Sequence, residues 1–353
     1  MAASEGTHRQ PRVRNASGPF TLASSLKLSI IPAIIAILSY VFFNSALFPA
    51  SPPSARVVYQ FPNGTWVENI AARANGNLLV TLVNVPELWE IDPSSPPAHE
   101  STAKLIHRFP DTPMLTGITE IAPDTFAIGS PQTLWRADLT TSPPSISPIV
   151  SSPSFRNLNG LATLDPSHVL AADSMLGVVW RIDVDTGAHE AVLQHDTMAP
   201  TTDLGPLVGV NGLGLLLDDG DGDGDGDGDY LYYNNCPRAL LCRVRIDRAT
   251  ARAAGPYEVV AERAMADDFA LGADGAAYLA GLVENVVTRV GPDGAKAVVA
   301  GATASRELAG ATAAAWGRAP RDEGVLYVTT GGIWGVPVTE TVFEGGKVMA
   351  VRV

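Results

Sequence analysis

The stretch Gly209-Val210-Asn211-Gly212-Leu213 places a polar asparagine in a glycine-flanked step just before the apolar run Leu215–Leu217. A second strand-like run follows at Tyr230–Tyr233, after an insertion of alternating Asp and Gly. Five other stretches share this layout of a short polar step, an apolar strand, a turn and a second strand. The second strands of all six stretches are predicted to begin 43 to 62 residues apart, near Leu79, Phe126, Val169, Leu231, Ala277 and Leu326. A strand-containing repeat of roughly 40–50 residues is typical of a β-propeller.

Six repeats, with a strand-like run at each end, predict an all-β fold: a six-bladed β-propeller over residues 56–353. We expect Arg56–Phe61 to pair with the C-terminal run Gly346–Val353 in the last blade. This pairing closes the ring and leaves no long sheet edge exposed. A propeller of about this size is a single domain, so the chain length does not indicate a second one.

The segment before the propeller has a different composition. Residues 1–27 are polar and basic, residues 28–48 are mostly apolar, and residues 49–55 form a linker rich in Ser and Pro. The apolar stretch is long enough to cross a bilayer as a helix, with its basic flank on the cytoplasmic side. An uncleaved signal anchor and a cleaved signal peptide both fit, and the long basic flank favours the anchor. We therefore expect a lumenal, extracellular or secreted propeller that meets the membrane only through this helix; a buried helix of a cytosolic protein is the alternative.

Charge and motifs restrict the class of partner. The formal net charge is −13, and no Lys/Arg cluster occurs after residue 30. Nucleic-acid binding requires a basic face, so this class is excluded. Neither a phosphate-binding loop nor a Gly-x-Ser-x-Gly elbow is present. We expect a monomer that acts on a small molecule.

Two local features lie beside the fourth repeat. Cys236 and Cys242 bracket a short turn between two strand-like runs, and they are predicted to form a disulfide in an oxidising compartment. The run Asp218–Asp229 alternates Asp and Gly, but it lacks the apolar residue and the acidic twelfth position of calcium-binding loops. We interpret it as an expanded, solvated hairpin loop without functional calcium.

A tryptophan occupies the same position in each of the first three repeats, at Trp89, Trp135 and Trp180. A repeated large aromatic residue indicates packing between blades rather than a ligand site.

Polar residues recur at the position that each repeat places near the propeller axis. Counting back about ten residues from each second strand, and omitting the Asp/Gly insertion, gives Glu68, Thr116 or Gly117, Asn159, Asn211, Asp267 and Gly310 to Thr312. Glu68 lies within Val67-Glu68-Asn69-Ile70, which is otherwise typical of a buried strand, so its carboxylate needs a polar partner. Such a ring of oxygens suits Ca²⁺, Mg²⁺ or Mn²⁺, and Zn²⁺ is a further candidate. A hydrogen-bonded network without metal is the alternative.

The repeats resemble the SMP-30/gluconolactonase family of six-bladed propellers. The residues that carry this resemblance are Glu68, Asn159-Gly160-Leu161, Val210-Asn211-Gly212-Leu213 with Tyr232-Tyr233, and Asp267 before Phe269-Ala270-Leu271. The resemblance implies that Glu68, Asn211 and Asp267 hold a divalent metal and that Asn159 contacts metal-bound water or substrate. Three positions depart from the family pattern: Asn69-Ile70 replaces a Gly-Pro, Asn157 replaces an Arg with Arg156 displaced by one, and Asp268 replaces a Gly.

Three longer stretches of the sequence resemble a fungal secretory subgroup of these propellers, which includes hetero-Diels–Alderases. These stretches are Gly64-Thr65-Trp66-Val67-Glu68-Asn69-Ile70, Ala172-Asp173-Ser174 with Val179-Trp180-Arg181, and Tyr327-Val328-Thr329-Thr330-Gly331-Gly332. The resemblance implies an enzyme that joins a quinone-methide-like polyketide to a terpene olefin without requiring a metal. The expected catalytic residues are then Glu68 or Asp267, acting as acids, and Asn159. The expected substrate contacts are Asn159, Asn211, Thr116 and Asp268.

Three functional hypotheses follow. A cyclase of fungal meroterpenoid metabolism is favoured, because its match is the more specific. A metal-dependent lactonase is second, because the implied metal set is complete. A lumenal binding propeller without catalysis is third.

The sequon Asn63-Gly64-Thr65 tests the predicted topology. If the propeller enters the secretory pathway, Asn63 is a glycosylation acceptor. We expect a glycosidase to increase the electrophoretic mobility of the wild type, and the Asn63→Gln variant to show no such shift. Recovery of wholly unglycosylated protein from the cytosol would contradict the predicted localisation.

Overall fold

The computed structural model describes residues 55–94, 103–203, 207–218, 228–333 and 344–353. These residues form six antiparallel sheets of four strands each, and they contain two short 3₁₀ turns and no α-helix. No helix among them is both long and apolar enough to cross a membrane. The predicted helix at 28–48 lies outside the described residues, as does most of the Asp/Gly run.

The first five blades are contiguous in sequence and run outward from the axis. Blades one and two contain β2 (Val67–Ala72), β3 (Leu78–Leu82), β4 (Glu87–Ile91), β5 (Ala103–Arg108), β6 (Ile118–Ala122), β7 (Thr125–Ser130), β8 (Thr133–Asp138) and β9 (Ser145–Ser151). Blades three and four contain β10 (Leu158–Asp165), β11 (His168–Asp173), β12 (Val178–Asp183), β13 (His189–Gln194), β14 (Val210–Leu216), β15 (Tyr230–Asn235), β16 (Leu240–Ile246) and β17 (Ala253–Glu262). Blade five contains β18 (Phe269–Leu271), β19 (Ala277–Gly281), β20 (Val286–Val290) and β21 (Lys296–Gly301).

The sixth blade closes the ring with strands from both ends of the propeller. It contains β22 (Ala311–Trp316), β23 (Val325–Thr330), β24 (Lys347–Arg352) and β1 (Ala55–Gln60), in the order β22-β23-β24-β1. Strand β1 pairs antiparallel with β24, from Ala55 opposite Val351 to Gln60 opposite Lys347. The six-bladed fold and its predicted closure are therefore confirmed.

The second strand of each blade is the most deeply buried, because neighbouring blades cover both of its faces. Every residue of β3, β19 and β23 is buried. This explains why continuous apolar runs mark these strands in the sequence. Each predicted start lies within one residue of the observed one.

The repeated tryptophans pack between blades, as predicted. Each meets, edge to face, a phenylalanine that follows the outer strand of the preceding blade. The ring centroids are 5.5 Å apart for Phe61 and Trp89, 5.3 Å for Phe109 and Trp135, and 5.2 Å for Phe155 and Trp180. T-shaped aromatic pairs of this kind stabilise beyond the area they bury.

The predicted disulfide is not formed: Cys236 and Cys242 are both free and buried. Strand register gives the reason, because Cys242 lies opposite Tyr233 in the β15–β16 pair. Cys236 is three residues beyond Tyr233, which separates the two cysteines by about 10 Å along the strands. A disulfide needs Cα atoms about 4.4–6.8 Å apart.

Removing one aromatic pair should destabilise the propeller strongly. Phe155 is fully buried, so Phe155→Ala leaves a cavity and should cost about 3–5 kcal/mol of unfolding free energy. Urea unfolding measures this loss. The control is Val259→Ala, because Val259 is 47% exposed and should change stability little. Equal losses in the two variants would contradict the packing role of Phe155.

Candidate active site

The first strands of the blades converge on an axial cavity of about 630 Å³. Among the described residues, five of the six blades contribute to its wall. Most of these side chains are apolar, and the polar ones come from the starts of the inner strands and from the loops before them. The lining residues are Trp66, Glu68, Val83, Met114, Thr116, Pro131, Arg156, Asn157, Asn159, Met175, Leu207, Val208, Asn211, Cys236, Pro237, Asp267 and Leu282.

Glu68 reaches the cavity from β2. Its Oε2 accepts a hydrogen bond of 2.7 Å from the indole Nε1 of Trp66. Burial raises the pKa of Glu68 well above its usual range, and the negative charge of Asp267 raises it further. The Trp66 hydrogen bond acts in the opposite direction but is weaker. Glu68 is therefore a carboxyl group that tends to hold its proton.

Asp267 lies opposite, just before β18, and is buried. The side-chain Nδ2 of Asn211 donates to its Oδ1 at 2.8 Å. Burial, followed by the charge of Asp268, raises the pKa of Asp267 to about 7, although the Asn211 hydrogen bond lowers it. At neutral pH the pair Glu68 and Asp267 therefore retains at least one proton, as two close carboxyl groups in an apolar site do.

Asp268 lies beside this pair but is not part of the cavity wall in the described structure. Its Oδ2 accepts from the Nδ2 of Asn69 at 2.7 Å, across 199 residues of sequence, and its Oδ1 accepts from the backbone of Phe269 at 2.7 Å. Burial raises its pKa to about 6. A Cβ on Gly212 would lie 2.0 Å from Oδ1 of Asp268, so glycine is required there. Both carboxylate oxygens are engaged, which makes Asp268 part of the support for the site.

Asn159 and Thr116 both line the cavity, but only one of them has a free side chain. The hydroxyl of Thr116 donates to the carbonyl of Leu158 at 2.7 Å, which holds neighbouring blades together. The side-chain amide of Asn159 makes no hydrogen bond with any described residue. Only its main-chain carbonyl is engaged, and it accepts from the backbone N–H of Gly117 at 3.1 Å. Asn159 is thus available to a ligand.

The wall also contains residues that the sequence analysis did not predict as part of the site. Those with polar or reactive side chains include Trp66, Arg156 and Cys236. The sequence could have indicated Trp66, because it precedes Glu68 by two residues and alternate residues of a strand share a face. Arg156 and Cys236 lie in loops, where no periodicity indicates the direction of a side chain. Burial and the charges of Asp267 and Glu68 raise the pKa of the Cys236 thiol well above its usual range, so this thiol stays protonated.

The implied metal ligands Glu68, Asn211 and Asp267 do share this cavity. Two carboxylates and an amide oxygen match the preference of hard divalent cations. In the described structure, however, Asn211 directs its N–H to Asp267 and Trp66 occupies Oε2 of Glu68. No three His, Cys, Asp or Glu side chains of the described residues are grouped to hold a metal. By donor type the residues fit a cation, which would require Asn211 to turn its amide.

Two proteins of known name match most of the chain. "Putative hetero-Diels-Alderase asR5" of Sarocladium schorii is 31% identical over 345 residues, which cover 83% of this chain and 82% of that protein. A Phoma protein named "Putative hetero-Diels-Alderase" is 30% identical over 321 residues, covering 79% and 87%. No family model matches the chain.

Solved structures share the fold at low sequence identity. A luciferin-regenerating enzyme superposes with a TM-score of 0.60 at 12% identity, covering 86% of this chain and 96% of its own. The calcium-binding protein regucalcin of Agrobacterium tumefaciens gives 0.59 at 17%, covering 85% and 95%. A gluconolactonase of Xanthomonas campestris gives 0.56 at 12%, covering 86% and 97%. These likenesses bear on the fold alone.

The raised pKa of Asp267 predicts an unusual dependence of stability on pH. A carboxyl group whose folded-state pKa is raised from 3.8 to about 7 stabilises fully below about pH 4 and loses this contribution as the pH rises through about 7. We expect the melting temperature to fall between about pH 4 and about pH 7. Asp267→Asn keeps an acceptor for Asn211 and should reduce the fall. The exposed Asp111 provides the control Asp111→Asn, which should behave as wild type; a variant of Asp267 that does the same would contradict the assignment.

Proposed function

The chain belongs to the family of β-propeller proteins named hetero-Diels–Alderases, and from this premise we propose that it catalyses a hetero-Diels–Alder cyclisation in its axial cavity. The reactants are a polyketide-derived heterodiene and a terpene olefin, as in fungal meroterpenoid pathways. One observation carries the proposal: an apolar-walled cavity of about 630 Å³ holds two carboxyl groups with raised pKa values, Glu68 and Asp267.

The cavity itself supplies much of the catalysis in this proposal. Its volume is within the roughly 300–1,000 Å³ range of small-molecule sites. Apolar side chains such as Met114, Leu207 and Leu282 line it and suit a hydrocarbon olefin. Holding two reactants in a near-attack geometry removes several kcal/mol or more of a bimolecular barrier. A cycloaddition adds the two components without loss or gain of atoms, so it needs no further group transfer.

Formation of the heterodiene is the step that uses the carboxyl pair. A hydroxymethyl-bearing phenol or enol loses water when its C–O bond breaks and an acidic proton reaches the departing hydroxyl. The phenol or enol oxygen then gives up its own proton, which restores the acid, so the net change is the loss of one water molecule. Glu68 and Asp267 both line the cavity, and the pKa of Asp267, raised to about 7 by burial, is near neutrality, where an acid performs such transfers well. Asn159, whose amide is free, is placed to hydrogen-bond the substrate.

A metal-dependent lactonase is the second candidate, and one observation favours it. Glu68, Asn211 and Asp267, the three ligands implied by the gluconolactonase resemblance, line the same cavity. A divalent cation bound there would polarise a carbonyl and activate water. The cyclase is preferred because the matches that span the chain carry that name. A binding propeller without catalysis remains the third hypothesis.

The sequence also supports a cellular setting for this activity. We propose that residues 28–48 anchor the protein in a membrane of the secretory pathway, with the propeller on the lumenal or extracellular side. An enzyme so placed would meet a membrane-soluble terpene near the bilayer.

The Glu68→Gln variant tests the acid role. It keeps an oxygen to accept from Trp66 but cannot donate a proton as an acid. We expect cyclisation of a hydroxymethyl precursor to slow by roughly 10²–10⁴-fold, the usual contribution of a positioned acid. A heterodiene generated chemically in the assay bypasses water loss, so its cyclisation should be far less affected. The exposed Glu262 provides the control Glu262→Gln.

One assay run with and without chelator separates the candidate functions. It offers a panel of lactones and a terpene with a quinone-methide precursor. A single stereoisomer of adduct above the uncatalysed background, unaffected by chelator, supports the cyclase. Lactone opening that stops on chelation supports the lactonase. Unchanged behaviour of Glu68→Gln, Asn211→Ala and Asp267→Asn in both assays would remove both enzymes and leave the binding propeller.

A further inference from the structure

Arg156 places a cation at the axial cavity, and its guanidinium has no partner among the described residues. It lines the cavity together with Glu68 and Asp267. Arg156 is exposed to solvent, whereas Asp267 is buried. Within the described part of the chain, its guanidinium makes no hydrogen bond and no ion pair, and no other Lys or Arg lines this cavity. The cavity therefore has a cationic solvent end and a carboxyl-lined inner end.

Several other arginines of the protein are paired with carboxylates. Arg73 contacts both Glu90 and Asp124, and Arg243 contacts Glu258 at 2.8 Å. The chain carries a net charge of −13, so carboxylates are abundant on its surface. An arginine left without one at the wall of a cavity has its five donors available for a ligand.

The backbone that carries Arg156 is held in place by a buried carboxylate. Asp173, which is fully buried, accepts from the backbone N–H of Arg156 at 2.8 Å and from that of Asn157 at 3.1 Å. The ring of the preceding residue, Phe155, packs edge to face against Trp180. The loop is thus rigid at its backbone while the guanidinium stays free. Such an arrangement positions a binding group before the ligand arrives.

Resting on the proposed function, we propose that Arg156 binds an ionised acidic oxygen of the heterodiene precursor and so determines which end of this substrate enters the cavity first. The substrate class is an aromatic or enolic compound with a group that is anionic at neutral pH, such as a carboxylate or a vinylogous acid. A planar guanidinium binds such groups through two parallel hydrogen bonds. Arg156 is a specificity-determining residue in this assignment.

The charge distribution along the cavity gives the orientation. The inner end, with Glu68, Asp267 and the nearby Asp268, repels an anion and accommodates a neutral hydroxyl. The outer end attracts an anion through Arg156. A precursor that carries both groups therefore binds with its leaving hydroxyl at Glu68 and Asp267, where the proton is needed. The olefin has no charge and occupies the apolar wall.

Binding of two matched probes tests the subsite without any turnover. The probes are 2-naphthoate, which is anionic, and 2-naphthamide, which is neutral and has almost the same shape. Their affinities are measured by equilibrium dialysis against wild type, Arg156→Gln, Arg156→Lys and the control Arg252→Gln, whose arginine pairs with Glu190 away from the cavity. We expect Arg156→Gln to weaken naphthoate binding roughly tenfold, the size of one charge-assisted hydrogen bond, and to leave naphthamide unchanged. Arg156→Lys should retain part of the preference.

The cyclisation assay then separates this inference from the proposed function. Arg156→Gln should raise the KM of an ionisable precursor about tenfold, with little change for its methyl ester and little change in kcat. Naphthoate selectivity through Arg156 without any cyclisation would reject the cyclase and keep the anion subsite. Equal binding of the two probes, or the same loss of both in Arg156→Gln, overturns the subsite whatever the enzyme proves to do.

Discussion

Pairing of β1 with β24 is the constraint on which the rest of the molecule depends. Each blade buries its central strand only because another blade covers each face, and this holds for all six blades only when the ring is closed. The pairing joins residues at opposite ends of the propeller, from Ala55 with Val351 to Gln60 with Lys347. Closure also brings the inner strands to one axis. Glu68 and Asp267, which are far apart in sequence, meet for this reason.

At that axis the protein must accommodate several carboxyl groups with few compensating charges. Two amide side chains provide the compensation: Asn211 donates to Asp267 and Asn69 donates to Asp268. Asn69 and Asp268 are two of the three departures from the gluconolactonase pattern, and they contact each other. They therefore form one pair, in which the buried acidic group has the donor that its burial requires. This extra carboxyl group raises the pKa of Asp267 and so favours proton-transfer chemistry.

The third departure has the opposite charge and lies at the opposite end of the cavity. Arg156 is held by the backbone contacts of its loop with Asp173, and its guanidinium is left to a ligand. Together with Glu68, Asp267 and the apolar side chains of the wall, Arg156 gives the cavity carboxyl groups, an apolar surface and a cationic rim. This polarity is what a reaction between a polar, ionisable precursor and a hydrocarbon requires, because each reactant finds a matching part of the wall.

The sequence by itself determined the fold and most of the axial residues of this protein. The repeat of apolar strands specified six blades and the closing pair, and the common position within each repeat specified Glu68, Asn159, Asn211 and Asp267. These features follow from local periodicity, which a single chain displays directly. Only the tertiary structure decided that Asn69 reaches Asp268 across 199 residues, that Cys236 and Cys242 stay apart, and that the guanidinium of Arg156 has no partner among the described residues. Such contacts depend on strand register and on the direction of loop side chains in the closed ring, and neither is encoded in the spacing of residues along one strand.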